Sequence, residues 1–315
     1  PKPSSAASDV YKRQLQDRAS KRSLGADRQD SGLWMRAQGR HDKGMRMAEG
    51  KVDIDSSSDV VQMGGALLRR PVGAQGALYA GLMAGYGDAR IDSTSTLMRR
   101  DTNTAVRAKA HGKVSGYSAG VYGTFYADDV NRLGAYVDTW LQYGRYTNRL
   151  SSELGSADYD SNLWSASLES GYALAPFAAD SPFRAWVVEP RGQLIYSRYT
   201  ARAADLQDTR LRNGTADAWR SSIGVRLYQQ PGQAADESVL RPFVETNWLH
   251  SEAVPSVRMG SNSFDARPSR DALELKVGAQ LRVARDVELS SHLFGHSGSA
   301  SEYGYGGQLS LSYSW

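Results

Sequence analysis

The side chains able to carry acid–base or metal chemistry in this chain are five histidines and thirty-four carboxylates. There are no cysteines, which excludes thiolate ligands, disulfides and cysteine nucleophiles. His292 and His296 are the histidines closest in sequence. On a helix, residues four apart share a face; on a strand they stand roughly 13 Å apart, too far to share one metal. His296-Ser297 raises a serine-hydrolase reading, but no G-x-S-x-G elbow surrounds Ser297 and HSGSAS reads as a surface loop. Asn213-Gly214-Thr215 spells a glycosylation sequon, yet Asn-Gly between strands is first a turn signal. No Lys-Ser/Thr follows Gly81, Gly85 and Gly87, so they form no phosphate loop. Neither a catalytic residue nor a metal or cofactor is expected.

The remaining chemistry is a set of mixed charge. Arg36, Arg40, Arg220, Arg226, Lys276 and Arg282 fall in phase with Asp138, Glu169, Glu189, Glu245, Glu274 and Glu288. Opposite signs on one face make a hydrated, cross-paired wall and not a phosphate track. The net charge of +4 is mild, and no nucleic-acid partner is expected.

A period-two backbone is needed to hold that face together. The last segment shows it: Leu309, Leu311, Tyr313 and Trp315 alternate with Gln308, Ser310, Ser312 and Ser314. Leu273, Leu275, Val277, Ala279 and Leu281 alternate with Glu274, Lys276, Gly278, Gln280 and Arg282, and Trp219, Ile223, Val225 and Leu227 oppose Arg220, Ser222 and Arg226. One face takes aliphatics with aromatics near the strand ends; the other takes charge, Ser and Gly. That is the pattern of a barrel with a lipid-facing exterior and a wet lumen. The mean hydropathy of −0.52 is compatible with it, because a membrane strand shows lipid only its alternate residues. No run of about 20 apolar residues, as a spanning helix needs, is present. Tyr and Trp number 17 and 7 against 6 Phe, a bias suited to membrane–water interfaces.

Twelve strands are predicted, at 31–41, 52–70, 75–92, 110–127, 131–149, 157–176, 182–202, 214–230, 238–252, 269–284, 286–298 and 303–315. The connections support the count. RPVGAQ, DDVN and Arg285-Asp286 are short, whereas 41–51, 92–110, 202–213 and 252–269 are long, the turn-and-loop asymmetry of outer-membrane barrels. Pro190 and Pro242 fall inside predicted strands and are expected at strand starts or bulges. Residues 1–30 are read as a linker and a helix. Asp9–Arg28 is helix-compatible but polar all round, with Leu15 and Leu24 isolated, and is expected to be housed in a polar lumen. Residues 1–14 contain no apolar signal segment, so an upstream N-terminus is expected.

Several stretches resemble the translocator domains of type V autotransporters, above all the diffuse-adhesion adhesin type. They are SGLWMRAQGR at 31–40, LYAGLMAGYGDA at 78–89, GKVSGYSAGVYGTFYAD at 112–128 and GAYVDTWLQYGRY at 134–146, with LWSASLESGYAL at 163–174, VEPRGQLIYSRY at 188–199, RPFVETNWLH at 241–250 and the aromatic C-terminus. The resemblance covers 31–315. It implies a twelve-stranded outer-membrane barrel, a luminal N-terminal helix, and export and surface display of an upstream passenger. Leu309, Leu311, Tyr313 and Trp315 match the family's C-terminal assembly signal, read by the barrel-assembly machinery. Some relatives cleave the passenger with luminal acids and a helix Asn, but Asp9–Arg28 has no Asn.

The expectation is therefore a non-enzymatic, monomeric barrel among outer-membrane lipids. Its luminal polar residues would be Asp138, Glu169, Glu189, Arg191, Arg220, Glu245 and Lys276. Asp138, Glu169, Glu189 and Arg191 would contact the helix. Two other barrel functions compete. A surface protease or phospholipase needs a compact Asp/His or Ser/His cluster at one rim, and a porin needs an open, conducting lumen.

Overall fold

The computed structural model describes residues 32–47, 52–98, 105–152, 155–178, 180–201, 204–206, 209–211, 214–230, 240–252, 256–259, 262–265, 270–284, 286–298 and 302–314. The expected helix within 1–30, the chain end at Trp315 and the sequon Asn213 lie outside the described residues.

The strands are β1 (Gly32–Met47), β2 (Val52–Val72), β3 (Gly76–Met98), β4 (Ala105–Tyr126), β5 (Gly134–Ser152), β6 (Gly155–Ala173), β7 (Trp186–Ala201), β8 (Ala204–Leu206), β9 (Thr209–Leu211), β10 (Gly214–Gln229), β11 (Leu240–Ser251), β12 (Ser256–Met259), β13 (Asn262–Asp265), β14 (Asp271–Ala284), β15 (Val287–Gly298) and β16 (Tyr303–Ser314). Twelve of them close an antiparallel barrel in the order β1-β16-β15-β14-β11-β10-β7-β6-β5-β4-β3-β2. The other four form two hairpins, β8 with β9 and β12 with β13, on long connections read from sequence as plain loops.

Alternation makes the wall. In β5 every second side chain from Tyr136 to Leu150 is buried or half-buried against the lumen, and the intervening Val137, Leu141 and Tyr143 point out. The outward aliphatics are open to the bilayer: Leu293 is 73% exposed and Ile223 62%. In a soluble protein such a continuous apolar exterior would aggregate; around a barrel it is the lipid face.

Strand lengths differ round the barrel. β2 to β6 run 19–23 residues, about twice the 9–11 that cross a bilayer. They project past the membrane at the end carrying the long loops. β1 runs to Met47, β3 to Met98 and β4 starts at Ala105, beyond the predicted limits. In the other direction, β7 begins at Trp186, because 182–185 belong to a turn with Arg184 N–H bonded to the Ser181 carbonyl at 3.1 Å.

Both prolines sit within the first five residues of their strands, where one ladder stops. The β6–β7 ladder runs to Gly171↔Arg191 and resumes only as the bridge Leu174↔Val188, on the far side of Pro190. The β10–β11 ladder ends at Tyr228↔Phe243, next to Pro242. A missing N–H is harmless there.

The lumen also holds rings, on the face expected to take charge, Ser and Gly. Trp34, Tyr136, Trp140, Tyr146, Tyr159, Tyr199, Phe243 and Phe294 are buried inside. Several lie on a glycine of the adjacent strand, where no Cβ could fit: one on Gly171 would stand 2.5 Å from the Tyr136 ring, and one on Gly306 2.5 Å from Phe294. Close approach thus accounts for many of the 31 glycines. Trp34, Met83, Tyr122, Trp140 and Ile195 form an apolar cluster within the wall, so the lumen is only partly wet.

The short-turn end is tied together. The Asp129 N–H donates to the Gln75 carbonyl at 2.7 Å, and its carboxylate takes Arg69 at 2.8 Å, the Tyr79 hydroxyl at 2.8 Å and Arg132 at 3.1 Å. Gln230, at the end of β10, donates to the Asn131 carbonyl at 2.8 Å. The β4–β5 turn therefore reaches the end of a strand well round the barrel.

Candidate functional site

Five of the seven predicted luminal residues gather into one network. Arg191 of β7 pairs with Glu245 of β11 and lies 3.9 Å from Glu169 of β6. Lys276 of β14 stands 3.4 Å from both Glu245 and Glu274. Asn247 donates to Glu245 at 2.7 Å and to Glu274 at 3.0 Å, and the Tyr136 hydroxyl donates to Glu169 at 2.8 Å. Glu189 interacts with the charge of Arg191 and accepts a hydrogen bond from the Tyr228 hydroxyl at 3.5 Å. The chain of contacts runs from β5 to β14, about half the barrel wall.

Gly224 of β10 lies in register between Arg191 and Asn247. The Asn247 side chain fills the space over that glycine, where a Cβ would collide with it, and Arg191 reaches across β10 to Glu245 of β11. All of these groups are nearly dry: the side chains of Arg191, Glu169 and Glu245 are 8%, 3% and 3% exposed. Buried charges persist only when paired and hydrogen-bonded, and here they are.

The remaining two predicted residues lie elsewhere on the inner wall. Asp138 is in register with Glu169 but accepts its hydrogen bond from Thr124, at 2.5 Å. Arg220 is buried towards the long-loop end, in register with Ile195 and Ser251. In β16, Leu309, Leu311 and Tyr313 point outward at 51%, 40% and 46% exposure, opposite Ala37, Met35 and Leu33 of β1.

Sequence reading missed a second luminal cluster. Arg40 Nε is 2.9 Å from Asp42, its Nη2 is 3.1 Å from His296 Nδ1, and His296 Nε2 is 3.2 Å from Asp42. This triad joins β1 to β15 across Gly304 of β16, where a Cβ would collide with both. It is a compact Asp/His pair, but with side chains 5% and 2% exposed it offers no access to a substrate at the rim. Arg241 and Glu288, 2.7 Å apart, make a similar span from β11 to β15. Glu274 was already on the predicted charged face, and Asn247, two residues from Glu245, was within reach of sequence reasoning. Gly116–Gly120 does spell G-x-S-x-G, but it lies in mid-β4 with neither the turn nor the helix of a nucleophile elbow. Among the described residues no group of three or more His, Cys, Asp or Glu could hold a metal ion.

A closed twelve-stranded barrel with a lipid-facing exterior and a braced, charged lumen defines an outer-membrane protein of the secretion or channel class. The family model for the autotransporter beta-domain matches residues 33–292, and the chain belongs to that family. The YdeU protein of Escherichia coli K12 is 29% identical over 98% of this chain and 67% of its own length. The YuaQ protein of the same strain is 32% identical over 82% of this chain. This chain spans only 19% of YuaQ. The crystal structure of the transport unit of the autotransporter AIDA-I from Escherichia coli superposes with a TM-score of 0.80, at 22% identity, over 99% of each chain. The chain is an outer-membrane translocator domain.

Proposed function

We propose that this barrel exports an upstream passenger and displays it at the cell surface, without enzymatic activity of its own. One observation carries the reading: the luminal network from Tyr136 to Lys276 braces the inner wall in fixed cross-strand contacts. Its carboxylates are engaged by Arg191, Lys276, Asn247 and Tyr136, an arrangement suited to holding a polar segment such as residues 9–28 and ill-suited to proton transfer. Asp138, Glu189 and Arg220 extend the same polar surface. The short-turn end would face the periplasm and the projecting strands the exterior.

The outward Leu309, Leu311 and Tyr313, with Trp315 after them in the sequence, are the assembly signal in this reading. A terminal strand waiting to pair offers its backbone for β-augmentation, and alternate side chains supply specificity. The barrel-assembly machinery would read it before β16 closes on β1.

An epitope placed upstream of Ser31 tests the reading in cells. It should be cleaved by externally added protease, and Tyr313→Ser with Trp315→Ser should reduce both heat-modifiable barrel and surface epitope. An epitope protected in cells that contain folded barrel would refute export. Porin-like conductance of the pure chain in planar bilayers would favour a channel instead.

A further inference from the structure

On β4 and β5 the outward charges of the projecting part are of one sign. Tyr86 and Tyr117 meet on the outer wall with ring centroids 5.0 Å apart, and Tyr143 and Trp164 with centroids 4.7 Å apart. Beyond those rings, towards the long-loop end, the charged outward residues of β4 and β5 are Arg107, Lys109, Lys113, Arg145 and Arg149, with His111 among them. None is acidic. Lys113 stands directly opposite Arg90 of β3 on one side and Arg149 on the other. Like charges directly opposite across antiparallel strands repel, so this row does not help the fold.

Aspartates border the basic panel. Asp88 lies 4.0 Å from Arg90 and 3.6 Å from Lys113, Asp92 is 2.5 Å from His111, Asp158 is 3.2 Å from Arg149, and Asp160 is 3.0 Å from Arg145. Two carboxylates, Asp88 and Asp158, therefore serve the three cations of the row. The side chains of Arg90, Lys113 and Arg149 stay 73%, 52% and 67% exposed. Keeping a projecting sheet soluble would need charge of any arrangement, and two adjacent strands with outward charges of one sign are more than that.

We propose that this panel binds the phosphate groups of phosphorylated glycolipids in the outer leaflet. Tyr and Trp mark the membrane–water interface. Lys113 is four residues beyond Tyr117, roughly 13 Å along the strand, within the headgroup layer. Arginine and lysine are the side chains that phosphate oxygens select. Carboxylates beside bound phosphates would also share a divalent cation with them. The inference depends on the outer-membrane setting and is independent of passenger export.

The full chain, refolded in neutral detergent, would be titrated with a diphosphorylated glucosamine lipid, its dephosphorylated form, and inorganic phosphate, with bound lipid counted by native mass spectrometry. The wild type should prefer the diphosphorylated lipid by about tenfold or more. Arg90→Ser with Lys113→Ser and Arg149→Ser should lose that preference, while Arg70→Ser with Arg184→Ser, at the short-turn end, should keep it. Equal binding of both lipids by the wild type would overturn the proposal, and that arm stands even if the triple variant does not fold. A folded triple variant that keeps the preference, or a control pair that loses it, would also overturn it. Full competition by inorganic phosphate at lipid concentrations would show that no lipid is being recognised.

Discussion

The inner and outer walls of this barrel carry the same chemistry under opposite conditions. Inside, Arg191 and Glu245 pair with side chains 8% and 3% exposed, amid Glu169, Lys276 and Asn247. Outside, Arg145 and Asp160 pair at 3.0 Å with 66% and 35% of their side chains in solvent. Contact distance alone would rank them alike. Solvation separates them. A buried pair that loses one partner leaves a charge water cannot reach, at a cost of about 3–5 kcal/mol. An exposed pair contributes about 0.2–1 kcal/mol and is screened by salt. Ion pairs in the lumen are therefore structure, whereas ion pairs on the projecting tips leave their partners open to exchange.

The comparison breaks most visibly at Arg191. Arg191→Met removes the cation that joins Glu169 to Glu245 and leaves Lys276 as the one basic group within 4 Å of Glu245 in the described network. Unfolding free energy in lipid vesicles should fall by about 3 kcal/mol or more, read as a shift in the denaturant midpoint. Replacing Glu245 by Gln in the same variant should recover part of the loss, since the stranded charge is then gone. A single variant within about 0.5 kcal/mol of wild type would mean that water screens the lumen as it does the exterior.

A smaller effect belongs to the rings on glycine. Gly171→Val would drive a side chain into Tyr136, whose hydroxyl also holds Glu169. Overpacking of this kind costs about 1–3 kcal/mol, and Gly171→Ala should cost less. Unaltered unfolding by the Val variant would show that the ring moves aside freely.

These inner contacts were the part least legible beforehand. The outer wall announces itself through local periodicity: Leu309, Leu311 and Tyr313 alternate with polar residues because only one face meets lipid. That beat located the twelve barrel strands, and it faded before the ends of β1 and β3 and the start of β4. The luminal face of Glu169, Glu189, Glu245 and Lys276 was legible for the same reason. Which of them touch was not. Arg191 and Glu245 are 54 residues apart and meet across β10, so their pairing depends on register across three strands. The Arg40–Asp42–His296 triad crosses Gly304 in the same way. Inward rings such as Trp140 and Tyr146 run against the average polarity of their face and carry no local signal.

Between the two extremes lies the half-buried turn at Asp128. Burial pushes its carboxyl up, but the backbone and side-chain amides of Asn131, the Val130 amide and Arg132 together hold it below the usual aspartate range. A depressed carboxyl contributes stability that is complete above its unfolded value and lost as pH falls through its folded value. Asp128→Ala should therefore cost about 1 kcal/mol at neutral pH. Its difference from wild type should close as the solution is acidified through the folded value. A gap that stayed constant into strong acid would assign the loss to packing and not to the charge.

Arg145→Ser should have the smallest effect. Its guanidinium reaches Asp160 from an outward position beyond Tyr143, with most of its surface in water. The expected loss is under about 1 kcal/mol at roughly 0.15 M salt and should vanish near 1 M, where the screening length falls to about 3 Å. Arg191→Met should keep its penalty across the same range, because no counterion enters the dry network. Parallel salt titrations of the two variants thus measure the difference between the walls directly. If both penalties fell together, the lumen would be ion-permeable and the network from Tyr136 to Lys276 would not be the brace described above.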